Sequence, residues 1–108
     1  MIISIVYSMF GSEKDAANAL DEMLSAKVVA CGNYFPCTSS FVWNDSVHNE
    51  KEWVLIVKTS HKMSQNARDW LQKHHCYEVP AILSWPVQAN ESYARWVEEQ
   101  VGSVTSDQ

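Results

Sequence analysis

The stretch Phe41-Val42-Trp43-Asn44-Asp45-Ser46-Val47-His48 decides the architecture. It joins two extended segments through Asn and Asp, residues that tolerate the positive φ a tight hairpin needs. The first segment covers about 28–43 and the second about 47–59, with Asn44-Asp45-Ser46 between them. In the second, Glu52, Val54, Ile56 and Lys58 share one face, and Trp53, Leu55, Val57 and Thr59 the other. Pro36 interrupts the first, which predicts a bend or bulge near Pro36-Cys37. A strand of about 14 residues is roughly 46 Å long at ~3.3 Å per residue. A compact domain of this length has a diameter of only roughly 34 Å. The hairpin must overhang its own domain and expose strand edges, a liability unless another chain pairs with them. An obligate oligomer built through the hairpin, with Pro36, Trp43 and Trp53 at the interface, is the expectation.

Outward from the hairpin, the flanking segments alternate helix and strand. Residues 2–9 alternate, with Ile3, Ile5, Tyr7 and Met9 on one face and Ile2 and Val6 adding apolar weight to the other, as in a central strand. After Gly11, Ser12 is a natural N-cap for a helix over about 13–26 whose stripe is Ala16, Leu20, Met23 and Leu24. Beyond the hairpin a second helix runs from Ser60 to Tyr77, with Met63, Ala67, Trp70, Leu71 and His74 along its stripe, and Pro80 forces its end. Ala81 to Val87 reads as a short strand. Asn90-Glu91 opens a last helix striped by Tyr93, Val97, Gln100 and Val101. The order βαββαβ plus a C-terminal helix is the ferredoxin-like α+β pattern, one antiparallel sheet with helices on one face. Residues 1–102 form a single domain, and 103–108 a polar tail expected to fray.

Composition excludes several function classes. The 108 residues carry a net charge of −5 without a basic run, so nucleic acid is not an expected partner. No apolar run approaches the roughly 20 residues of a spanning helix, and Met1-Ile2-Ile3-Ser4-Ile5-Val6 reads as a strand rather than a signal peptide. Three cysteines without C-x-x-C spacing point to reduced thiols in a cytoplasm. Five tryptophans are many for so short a chain and suit a small core or an oligomer interface.

Chemistry other than packing concentrates in two places. His74, His75 and Cys76 are consecutive, and imidazole and thiolate suit Cu and Zn. Neighbouring helical residues point about 100° apart, so they share one ion only if the helix end unwinds. Otherwise His74 completes the core stripe and His75 caps the helix C-terminus. Glu50 and Glu52 stand ~6.8 Å apart on one strand face, able to hold a hard cation or, with Lys58, to move protons. An intersubunit salt-bridge set or a solvated face is the plainer role for them. Lys58 near Tyr77 could hold an anionic ligand in an intersubunit cleft, a suggestion resting on fold analogy. Cys31 reads as buried packing. No nucleophile elbow, P-loop or dinucleotide fingerprint occurs, and an enzyme is the least expected outcome.

Spread through the chain are Ala30-Cys31-x-Asn33-x-x-Pro36, Ser40, Trp43, Glu50-x-Glu52, Lys58-Thr59, His74-x-x-Tyr77-x-Val79-Pro80 and Tyr93-x-x-Trp96. In order and spacing they resemble the CutA divalent-cation tolerance proteins over nearly the full length. The resemblance implies a homotrimer and a role in tolerance to divalent metal ions, copper (Cu²⁺) favoured, with His74 and His75 matching the histidines linked to metal. A regulatory trimer taking a small molecule or protein in clefts lined by Glu50, Glu52, Lys58 and Tyr77 is the alternative. The chain departs from the family pattern at Cys37, Cys76 and Ala81. It departs also at Ser8, where some members carry a cysteine implicated in copper binding.

Overall fold

A computed structural model describes residues 1–103. The elements run β1 (Ile2–Phe10), α1 (Glu13–Ser25), β2 (Cys31–Trp43), β3 (Ser46–Ser60), α2 (Ser64–His74), β4 (Ile82–Gln88) and α3 (Glu91–Gln100). The strands form one antiparallel sheet in the order β2-β3-β1-β4, the ferredoxin-like arrangement. Apart from Ser103, the expected polar tail lies outside the described residues.

The β2–β3 hairpin turns where its sequence demands. Asn44 and Asp45 take φ of 52° and 65°, and Trp43 pairs with Ser46 across them. This two-residue turn with both central φ positive matches the twist of the strands it joins. The register then runs without a slip from Trp43↔Ser46 to Cys31↔Lys58. The bulge expected at Pro36 is absent: Pro36 simply faces Trp53. β2 is an edge strand, where a residue lacking an N–H is tolerated. β1 pairs with β3 only over 53–60, so, among the described residues, 46–52 have β2 as their single neighbouring strand. The hairpin overhangs, and the molecule measures 44 × 32 × 23 Å.

The main core lies on the face bearing Val6, Phe10, Leu55 and Val57, against Ala16, Ala19, Leu20 and Met23 of α1 and Ala67 and Leu71 of α2. Each large side chain buried there is worth about 1.5–3 kcal/mol relative to exposure. Ser12 caps α1 as expected, its hydroxyl accepting from the Asp15 N–H at 3.1 Å. The expectation that all helices share this face holds for α1 and α2 but not for α3. Ala94 and Val97 pack on Ile3 and Ala30, with Val87 alongside. Ile3 and Val87 are paired and project opposite to Val6, so α3 covers one end of the second sheet face.

The rest of that face is uncovered. Ile5, Tyr7, Ile56, Leu83, Trp85 and Phe35 fall on it by register. Leu83, Trp85 and Phe35 are 55%, 42% and 44% exposed. The interface residues expected from the sequence are distributed differently. Trp43 is exposed at the hairpin tip. Trp53 turns inward against the main core, 6.2 Å from the Tyr34 ring, because it lies opposite Phe10 on the helix-covered face.

Candidate functional site

The site begins where α2 fails. Helix continued to Tyr77 is not found; α2 ends at His74, and His75 is extended at φ −69°, ψ 142°. The cause is His75 itself, whose ring is drawn onto β1. It stacks on Phe10 with centroids 4.2 Å apart and an interplanar angle of 11°. Its Nε2–H donates to the Met9 carbonyl at 2.7 Å, and its Nδ1 accepts the Tyr77 N–H at 3.1 Å. A carbonyl on one nitrogen and an N–H on the other assign the neutral tautomer with its proton on Nε2. Burial lowers the His75 pKa, against opposing contributions from the Met9 carbonyl, Asp15 and Glu52.

The structure therefore does not bring His74, His75 and Cys76 to one point. Both nitrogens of His75 are engaged. His74 is exposed rather than part of the core stripe, stacked on Trp70 at 4.3 Å. Its Nδ1–H donates to the Trp70 carbonyl at 2.9 Å, and Nε2 has no hydrogen-bond partner among the described residues. Cys76 is exposed, with Sγ 4.0 Å from Asp15 Oδ2. His74 and Cys76 border a shallow hollow of about 250 Å³ together with Asp15, Asn18, Glu22 and Trp70. Among the described residues no three His, Cys, Asp or Glu side chains are grouped to hold a metal ion. Ser8, at the position where some CutA proteins carry a cysteine, is fully buried and donates to the Ala81 carbonyl at 2.7 Å.

The unwound segment creates a second feature. Beyond His75 the chain passes the end of β1, and Tyr77 donates its hydroxyl to Glu52 Oε2 at 2.7 Å. Burial first, then this hydrogen bond, raises the Tyr77 phenol far above its ordinary value. Between the 76–81 segment and the overhanging hairpin lies a cleft of about 670 Å³, lined by Glu50, Glu52, Glu78, Tyr77, Phe41 and Trp43 among others. Glu50, Glu52 and Tyr77 thus meet as expected. Lys58 does not join them: it sits six residues along β3 from Glu52, ~20 Å away, and hydrogen-bonds the Asn33 side chain.

Sequence reasoning missed Glu78 and the wall formed by Phe41. An acid directly before Val79-Pro80, in a segment barred from helix, was the available signal for Glu78. It also missed the contact of Cys31 Sγ with the Tyr93 hydroxyl at 3.1 Å. Burial and then that contact push the Tyr93 phenol up to about 12.

Fold and site together define a small ferredoxin-like α+β protein with an acidic, aromatic cleft at the base of an overhanging hairpin. The profile of the CutA1 divalent ion tolerance protein family matches residues 4–100, and the chain belongs to that family. The divalent-cation tolerance protein CutA of Thermotoga maritima is 33% identical over 98 residues, spanning 90% of this chain and 97% of that protein. The crystal structure of the divalent ion tolerance protein CutA1 from Ehrlichia chaffeensis superposes with a TM-score of 0.88 at 34% identity, covering 94% of this chain and 96% of that one. The periplasmic divalent cation tolerance protein CutA of Archaeoglobus fulgidus gives a TM-score of 0.88 at 28% identity, covering 93% and 99%.

Proposed function

We propose that this protein serves tolerance to divalent metal ions as a homotrimer, by binding rather than catalysis, with copper the favoured ion and His74 and Cys76 its contacts. The observation that carries the metal reading is the pair of soft donors bordering one hollow beside Asp15: His74 Nε2, which has no hydrogen-bond partner among the described residues, and the exposed Cys76 Sγ, held only by a long contact of 4.0 Å to Asp15 Oδ2. Imidazole and thiolate favour copper over hard cations. Two donors with a nearby carboxylate make an incomplete coordination shell, suited to a transient contact rather than a store. The uncovered apolar sheet face supports self-association, and the number three follows the family resemblance. Three free thiols suit a reducing compartment, and we assign the cytoplasm, although the Archaeoglobus relative is described as periplasmic.

Copper titration of the intact protein tests the reading, with Zn²⁺ as a redox-inert control. The His74→Ala/Cys76→Ser variant should lose about tenfold or more in affinity, equivalent to ~1.4 kcal/mol. His75→Gln should bind as the wild type does. Unchanged affinity in the double variant overturns the assignment.

A second reading is favoured by the cleft of about 670 Å³: a trimer that takes a small molecule there. Its volume falls within the ~300–1,000 Å³ usual for ligand sites. The cleft adjoins the uncovered face, so a neighbouring subunit would help wall it.

A further inference from the structure

The cleft carries charge of one sign. Glu50 and Glu52 project from β3, Glu78 from the segment after α2, and none of the described residues that line it is Lys, Arg or His. The basic residue expected to make it an anion site, Lys58, is bound to Asn33 elsewhere on the strand. The walls between the carboxylates are aromatic, from Phe41, Trp43 and Tyr77, with Met9 and Val79 adding apolar surface. A lone metal ion does not match this layout. Glu50 and Glu52 are spaced ~6.8 Å along the strand, one oxygen of Glu52 is already taken by Tyr77, and no three ligating side chains converge among the described residues.

Building on the ligand-binding reading of the cleft, we propose that its occupant is an organic cation of the di- or polyamine class. Separated carboxylates are met by ammonium groups separated along a chain, each forming charge-assisted hydrogen bonds. The methylene stem between them covers the aromatic walls, and an ammonium over Trp43 or Tyr77 gains cation–π attraction. A ligand bearing carboxylate or phosphate would face like charge on both sides of the cleft with no counter-charge to meet it.

Calorimetric titration of the intact oligomer with spermidine, putrescine and butylamine, and with succinate as an anionic counterpart of putrescine, tests the proposal. Affinity should rise with the number of amines and weaken as NaCl is added. Glu50→Gln/Glu78→Gln should weaken spermidine by about tenfold or more, and Trp43→Ala should weaken it as well. Unchanged sedimentation and melting temperature would show both variants folded. Spermidine binding that neither variant alters overturns the inference, because the amine is then held elsewhere. Succinate binding that Trp43→Ala abolishes overturns it while leaving the ligand-binding reading standing. No heat from any of the four overturns both.

Discussion

His75 holds two hydrogen bonds of opposite polarity, and only a neutral ring with its proton on Nε2 can keep both. Adding a proton at Nδ1 sets two N–H groups against each other, the ring's and that of Tyr77. Burial lowers the folded pKa of His75 below the ordinary 6.5. The stability it contributes is therefore complete above pH ~6.5 and is lost as pH falls through the folded pKa. Thermal melts in a chelator should show a steeper loss of Tm from pH 7 to 5 for the wild type than for His75→Gln; parallel profiles would remove His75 as the cause. Gly32 gives a second test at this scale. A Cβ there would lie 2.7 Å from Leu20 Cδ1, 3.0 Å from Val57 Cγ1 and 3.1 Å from the Ile56 carbonyl. Gly32→Ala should cost about 1–3 kcal/mol of stability in a denaturant titration through overpacking. Neither fact was legible in the sequence. His75 could be placed at a helix end, but its two partners include a carbonyl 66 residues away, fixed only once β1 lies beneath it.

The elements were far more readable, because their signals are local. Alternation located β1 and β3, Ser12 located the start of α1, and Asn44-Asp45 located the turn. Departures occurred where a tertiary contact overrode the local rule. Pro80 set an outer limit for α2, yet the pull of His75 onto Phe10 ended the helix at His74. Pro36 suggested a bulge, but a position at the sheet's edge removed the need for one. The end of α1 carries a residue at odds with its conformation. Lys27 lies at φ 59° where the chain closes with Lys27 N–H to Leu24 O and Val28 N–H to Met23 O. That left-handed position after a helix is the one glycine favours. Lys27→Gly should raise stability by about 0.5–1 kcal/mol, measured by the shift in denaturation midpoint.

At the scale of the molecule, the sequence announced an unsatisfied surface, and the structure adds a second apolar stretch to it that the hairpin did not reveal. Tryptophans on the hairpin were expected to form the interface, and Trp53 instead serves its own core. On the sheet face that α3 leaves open, the exposed apolar residues Leu83, Trp85 and Phe35 come from both edge strands. Alternation cannot say which face of a four-stranded sheet a third helix will cover, and α3 covers only one end of this one. If this face carries the proposed self-association, substituting Leu83→Asp with Trp85→Glu should move sedimentation toward smaller species than the wild type forms. Unchanged assembly would exclude this face from the interface.

The overhanging ribbon has a consequence for how the protein comes together. Among the described residues, 46–52 pair with no strand other than β2, and a two-stranded hairpin is marginal in water. Its backbone amides should therefore exchange with deuterium at a rate set by how much protein surrounds the molecule. If the proposed self-association covers the ribbon, it should exchange freely when diluted and be protected when concentrated, with the amides of β1 responding far less. The tip of the hairpin would then be a gauge of assembly, reporting encounter between chains rather than folding within one.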